Sequence, residues 1–311
     1  MEKQRVLWMD IAKAFGILIV LIVHGGLRLG AVTFLGGMFY MPVFFVLSGM
    51  TFTWKKEETF GTFVKKKAQR LLAPYLGYNL FLYGFFFVKD HLMAGTVSAA
   101  SFFPLLGILY SRNCLFKMDA PGNVYFMQIL NAPTWFLTGL FVSLVVFWVL
   151  MRAAGGELRK LWVMNGGVLL LSVLLHYLCP VLLPWSLDCA LYAVSFLTFG
   201  KTLVQYDLVE RLYRKPWLTA LLTAVFVGIS LFNGSVNMSV AAYGRSMVLY
   251  LFVGGLGSLL CMEVSLFLER HARTLSRGLG WLGRHTMPVL CLHLFVYALA
   301  GILLHFLKNI L

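Results

Sequence analysis

The sequence predicts an all-α fold, a polytopic bundle of transmembrane helices, from three observations: its composition, its repeated apolar runs and its distribution of charge. Of 311 residues, 60% are hydrophobic and 12% are charged, and the mean hydropathy is +0.83. A chain with so little polar surface does not form a water-soluble globule. Apolar runs of about 20 residues, the length that crosses a ~30 Å hydrocarbon core, recur from end to end. We therefore expect residues 1–311 to form one membrane domain.

Nine spans are predicted, with a tenth possible if a short segment also inserts. Each must be a helix, because a span has no water to satisfy its backbone groups and none shows the alternation of a barrel strand. The one long connection, near 91–132, is expected to be extracytoplasmic. The spans are placed near 7–27, 34–54, 72–90, 133–151, 161–179, 187–204, 217–232, 245–268 and 286–307.

The distribution of charge predicts a cytoplasmic N-terminus. With that orientation 20 of the 26 basic residues lie on cytoplasmic stretches, as the positive-inside rule requires. The net charge of +14 is then explained by topology and by attraction to anionic membrane lipid, and no nucleic-acid partner is expected. The five cysteines have no metal-ligand spacing, so no metal is expected either. The six basic residues left outside are Arg28, Lys89, Arg112, Lys117, Arg245 and Lys308.

The first span contains ionisable residues in a definite pattern. It reads "DIAKAFGILIVLIVH" from Asp10 to His24, and such residues inside a span mark a functional site by default. Eleven residues separate Lys13 from His24, so the two side chains share a helix face about 16 Å apart. Asp10 lies one turn below Lys13, where it can pair with it as an i,i+3 neighbour.

This arrangement suits a ligand that is anionic at its cytoplasmic end and reacts at its outer end. Phosphates would lie near Lys13, and His24 would act as a general base. Coenzyme A thioesters have this shape. The other interpretation, that Lys13 snorkels, Asp10 neutralises it and His24 merely lies at the outer interface, is equally compatible with this helix alone.

Further phrases, in order along nearly the whole chain, carry a resemblance to a known family. They are "PVFFVLSG" at 42–49, "KKKAQRLLAPYL" at 65–76, "PTWFLTGLF" at 133–141 and "LGWLGRHTMPVLCLHLFVY" around the last span. Together with the Lys13 and His24 spacing, they resemble the acyltransferase-3 family of integral-membrane O-acyltransferases. The phrase "LPWSLDCALYAVSFLTFGK" at 183–201 is similar to its fucose 4-O-acetylase-like branch.

The resemblance implies transfer of an acetyl group from cytoplasmic acetyl-CoA, a donor substrate rather than a resident cofactor, to a hydroxyl of a carbohydrate, polyol or lipid-linked glycan outside. It implies the inner membrane of a bacterium as the location. His24 would be the catalytic base. Lys67 replaces the first Arg of the family's Arg-x-x-Arg element, which loses the bidentate fork. The donor-binding candidates are Lys13, Asp10, Lys67, Arg70 and Ser48, and the acceptor-side candidates are Trp135, Asp188 and His293.

Simpler roles are also expected for the acceptor-side candidates. Trp135 would belong to an interfacial aromatic belt and Asp188 would be a solvated residue at a span end. His293 would be a hydrogen-bonded histidine in the bundle interior, beside the level of Lys13. Two other functions stay open. A transporter of a small polar solute would also place ionisable residues in its path, although no inverted repeat is evident. A scaffold protein would leave the alignment of Lys13 with His24 unexplained.

Overall fold

The computed structural model describes residues 6–94, 97–117, 122–126 and 129–308. This part of the chain is helical, and its only β-structure is three isolated bridges. The α-helices are α1 Leu7–His24, α2 Ala31–Phe39, α3 Pro42–Thr51, α4 Phe60–Ala94, α5 Phe103–Tyr110, α6 Trp135–Ala153, α7 Leu158–Leu178, α8 Leu187–Gln205, α9 Leu208–Tyr213, α10 Pro216–Asn233, α11 Met247–His271, α12 Arg273–Arg284 and α13 Thr286–Lys308.

Nine segments of the described chain are long and apolar enough to cross a membrane, which confirms the predicted all-α bundle and its nine spans. Helices α2 and α3 form one span together, because the chain turns only at Tyr40 and Met41 between them. The other spans contain α1, α4, α6, α7, α8, α10, α11 and α13. No tenth span occurs among the described residues. The cytoplasmic location of the N-terminus stays a prediction.

The third span differs from the prediction at both ends. Helix α4 begins at Phe60, twelve residues before the expected start of the span, and therefore includes the basic residues of 65–70. It continues to Ala94, so His91, expected in a loop, lies on the helix. Lys and Arg are good helix formers, and their long side chains reach the interface from a helix that continues beyond the hydrocarbon core.

The centre of the bundle is a close contact between α3 and α8. A side chain at Gly49 would overlap the backbone of Leu197, and one at Gly200 would overlap the backbone of Val46. Small residues at these positions let the two backbones approach, which is how helices associate tightly in a membrane. This contact fixes α3, which carries Ser48 into the interior.

A second close contact sets the height of the last span. Gly283, near the end of α12, lies against the backbone of Asp10 on α1, and a side chain there would collide with it. Helix α13 therefore begins beyond the first turn of α1 rather than level with its start. This offset brings His293 to the end of α1, so its expected position beside Lys13 was wrong.

A buried ion pair ties the long connection between α4 and α6 to α8. The Arg112 guanidinium, fully buried, donates to both carboxylate oxygens of Asp188 at 2.9 and 2.7 Å and to Ser186 Oγ at 3.1 Å. Tyr243 lies near this ion pair, and burial raises the pKa of its phenol well above the ordinary value. The phenol therefore stays protonated and donates to Cys189 Sγ at 3.5 Å. Asp188 is thus not the solvated span-end residue expected; its charge is matched in the interior.

Candidate active site

An inner cavity of about 360 Å³ opens between α1, α3, α6 and α13. Two cations line it, Lys13 from α1 and Arg284 from the end of α12. Three hydroxyl side chains, Ser48, Thr51 and Thr286, lie on the same walls. The remaining lining is apolar: Ile17, Met41, Phe44, Leu47, Leu71, Phe136, Leu137, Leu140, Met287 and Leu290, with Gly283. The lining of this cavity is therefore mainly apolar, with two positively charged side chains.

Lys13 makes the predicted contact with Asp10. Its Nζ donates to Asp10 Oδ1 at 3.0 Å, and the Asp10 side chain is buried while Lys13 stays partly exposed to the cavity. A buried carboxylate next to one face of the ammonium holds the lysine in place and leaves its other N–H donors for a ligand. Ser48, also predicted on the donor side, lines the same cavity, and its hydroxyl donates to Phe44 O at 2.7 Å.

An outer cavity of about 540 Å³ lies at the other end of α1 and contains His24. Its polar lining comes from His24, Thr33, Tyr40, Asn113, Ser235, Asn237 and Ser239. Trp135 supplies an aromatic wall. Met41 and Leu290 line both cavities, so these two side chains lie between the two spaces. A ligand that extends from Lys13 to His24 would have to pass them.

His24 is joined to a second imidazole across the bundle. Its Nδ1 lies 2.7 Å from Nε2 of His293, which is 4% exposed. The ring centroids are 4.9 Å apart and the rings are 11° from parallel. That separation is close to the sum of the N···N distance and the two centre-to-nitrogen radii, so the rings meet edge to edge and nearly in one plane.

The partners of His293 determine which nitrogens carry hydrogen. Its Nδ1 faces two backbone carbonyls, Val289 O at 3.0 Å and Leu290 O at 2.9 Å. Carbonyl oxygens only accept, so Nδ1 must carry the hydrogen, and Nε2 of the neutral ring is an acceptor. His24 Nδ1 is then the donor of the 2.7 Å hydrogen bond. This assignment, inferred from the hydrogen bonds, leaves His24 Nε2 unprotonated.

Comparison with known families decides the class of protein. A family profile described as an acyltransferase domain, that of acyltransferase-3, matches residues 6–311. The chain belongs to the acyltransferase-3 family. It is therefore a membrane acyltransferase. No curated protein and no solved structure matches it. The fucose 4-O-acetylase-like branch stays a prediction.

Two further predicted donor-binding residues of this acyltransferase, Lys67 and Arg70, are not among the residues that line the inner cavity. Lys67 is half-buried, and its Nζ lies 5.4 Å from the centroid of the Phe63 ring. It shares a face of α4 with Leu71, a cavity residue, one turn or about 6 Å further along the helix. Arg70 is exposed. Lys67 thus lies beside the inner cavity, and Arg70 faces away from the protein interior.

The structure places two of the three acceptor-side candidates beside His24 and the third elsewhere. Trp135 is buried and lines the outer cavity, so it is not the belt residue expected. His293 contacts His24 directly. Asp188 is not among the described residues that line this cavity. Its carboxylate forms an ion pair with Arg112 instead. Trp135 and His293 are thus brought together with His24, and Asp188 is not.

Two lining residues were missed by sequence reasoning. Arg284 was counted only as a positive-inside residue, although its place at the end of a basic, amphipathic stretch just before a span was visible. Asn113 lies in the long connection between α4 and α6, where no periodicity relates it to His24. Its position depends on the packing of that connection, in which Tyr110 Oη donates to Leu182 O at 2.8 Å.

Proposed function

We propose that the protein is an O-acetyltransferase of a bacterial inner membrane, taking the acetyl group from cytoplasmic acetyl-CoA and giving it to a carbohydrate or polyol hydroxyl at the outer side. One observation carries the proposal. Met41 and Leu290 lie between two cavities, one with the cations Lys13 and Arg284 and the other with His24. A donor with phosphates at one end and a thioester at the other matches this succession of environments.

In this proposal the phosphates of the donor lie at the cytoplasmic end, where Lys13 and Arg284 would bind them as charged hydrogen-bond donors. The inner cavity is too small for the whole donor, so its nucleotide part would extend towards Lys67. The pantetheine arm would follow the apolar lining, and the thioester would reach Met41 and Leu290.

The reaction would use the free nitrogen of His24. Nε2 removes the proton of the acceptor hydroxyl as its oxygen attacks the thioester carbonyl, so a C–O bond forms and the C–S bond breaks. The proton then passes from Nε2 to the leaving thiolate of CoA. His293 keeps Nδ1 as the protonated nitrogen and orients the ring. The same Nε2 would carry the acyl group in a two-step route through acyl-His24, which burst kinetics would reveal.

The test is acyl transfer by the purified protein in lipid nanodiscs. Labelled acetyl-CoA is supplied with a panel of methyl glycosides, and both thiol release and labelled ester are measured. We expect both to depend on the protein and on the thioester. A transporter, the other function considered, would instead take up the glycoside into proteoliposomes without any thioester. Uptake without acyl transfer would therefore contradict the proposal.

The cations of the inner cavity give a second prediction. Lys13→Gln and Arg284→Gln should each weaken acetyl-CoA binding by about 1.5–3 kcal/mol, roughly 10- to 150-fold in Kd, because each loses a hydrogen bond to a charged group. Calorimetry on the purified variants measures this. Arg273→Gln, at the far end of α12, is the control and should bind normally.

Lys67→Gln and Arg70→Gln belong in the same series, because the family resemblance assigns them to the donor. Lys67 lies one turn from the cavity, so its loss should weaken binding more than the loss of the exposed Arg70. If both Lys13→Gln and Arg284→Gln bind acetyl-CoA normally, these cations only set topology and the inner cavity is not the donor site.

A further inference from the structure

The charge of the outer cavity limits what can occupy it. Among its described lining residues there is no Lys, Arg, Asp or Glu, and its titratable groups are His24 and Tyr40. Arg112, next to Asn113 in the chain, is engaged by Asp188 and is fully buried, and Arg28, four residues after His24, is exposed and is not among the lining residues. A carboxylate or phosphate in this space would lose hydration without meeting a counter-charge, which is strongly unfavourable.

One side-chain amide of the cavity lining, that of Asn113, makes no hydrogen bond to the described residues. Its Oδ1 is buried and accepts none, so the group that can meet a ligand in the cavity is Nδ2, a donor. Asn237, a second amide of the lining, is already engaged, since its Oδ1 accepts from Ser239 N at 3.1 Å and from Ser239 Oγ at 2.7 Å. Asn113 can therefore donate a hydrogen bond to a hydroxyl oxygen of a bound ligand.

The aromatic wall completes the subsite. Trp135 is 5% exposed and lies in the same cavity as His24 and Asn113. An indole face packs against the C–H face of a sugar ring, while amide groups bind its hydroxyls. An apolar face, a neutral amide and a base in one uncharged cavity suit a neutral, hydroxyl-rich ring.

We propose that the outer cavity selects an uncharged sugar or polyol unit as the acetyl acceptor because its lining carries no counter-charge, and that Asn113 helps to bind this unit through one of its hydroxyls. The proposal rests on the acyltransferase function proposed above and narrows its substrate. Uronic acids and sugars phosphorylated on the ring that receives the acetyl group are excluded. A lipid-linked glycan qualifies if the unit that enters the cavity is neutral.

The test compares matched acceptors in the nanodisc assay. Methyl glucoside and methyl galactoside are each paired with the corresponding methyl uronate, which differs only by a carboxylate in place of the CH₂OH group. With the wild-type protein we expect kcat/KM for the better neutral glycoside to exceed that for its uronate by at least about tenfold. This ratio corresponds to about 1.4 kcal/mol of difference in activation free energy. Equal use of the uronate, or preference for it, would overturn the proposal.

Asn113→Leu, of similar shape, tests the residue itself. We expect its KM for the neutral glycoside to rise by about tenfold or more, with a smaller change in kcat, because binding rather than chemistry loses a contact. Val124→Ala, an exposed residue of the same connection, is the control. An unchanged KM in Asn113→Leu would remove Asn113 from the acceptor site.

Thiol release distinguishes a failure of the proposed acceptor subsite from a failure of the proposed acyltransferase reaction. If the wild-type protein releases thiol from acetyl-CoA but labels no neutral glycoside, the acceptor subsite is wrong while the donor reaction stands. If it releases no thiol at all, the proposed acyltransferase reaction with acetyl-CoA fails and the subsite fails with it.

Discussion

Replacing His24 by alanine is expected to lower acetyl transfer by about 10²- to 10⁴-fold, the contribution that a positioned general base typically makes. The reason is geometric. Nε2 of His24 is the unprotonated nitrogen, and it belongs to the ring that lines the outer cavity. The variant should fold, because the ring is exposed and its removal leaves no buried charge. The measurement is initial rate of ester formation at saturating acetyl-CoA.

His91→Ala is the matched control, since His91 is an exposed histidine on α4. It should retain the wild-type rate. His293 provides a graded comparison: His293→Gln keeps an acceptor for the Nδ1–H of His24, whereas His293→Leu removes it. We expect Gln to retain more activity than Leu. Turnover of His24→Ala at the wild-type rate would show that another group is the base.

The parts of this site that lie on one helix were predictable from the sequence. Lys13 and His24 share a face because helix periodicity alone relates residues eleven apart. The pairing of Lys13 with Asp10 follows from the same geometry, and the i,i+3 contact forms at 3.0 Å. The nine spans were also predictable, because an apolar run of sufficient length has few alternatives to a helix in a bilayer.

Contacts between distant helices were not predictable, because they depend on how far one helix is shifted along another. His293 meets His24 rather than Lys13 because Gly283 allows α12 to lie against Asp10 and so raises α13. The sequence around Asp188 does not distinguish a solvated carboxylate from one that is paired with a distant residue. Only the packing of the connection between α4 and α6 reveals that Arg112 reaches it.

Breaking the Arg112 and Asp188 pair is expected to destabilise the fold strongly. Asp188→Leu leaves a fully buried guanidinium without its counter-charge, and Arg112→Met leaves the carboxylate. Removing one partner of a buried pair costs about 3–5 kcal/mol. Both single variants should therefore unfold at markedly lower temperature in detergent, as measured by the loss of the monodisperse peak in size-exclusion chromatography after heating.

The double variant Arg112→Met with Asp188→Leu distinguishes a structural pair from an acceptor-binding carboxylate. Replacement of both charges by apolar side chains of similar size is often neutral for stability, so the double variant should recover most of the thermal stability lost in either single variant. If Asp188 acts only through Arg112, the double variant also recovers acetyl transfer. Recovered stability with lost transfer, and with a raised KM for the acceptor, would instead show that Asp188 binds the acceptor. Failure to recover stability would mean that the guanidinium's other contacts, to Ser186 Oγ at 3.1 Å and Cys189 Sγ at 3.6 Å, hold the connection in place.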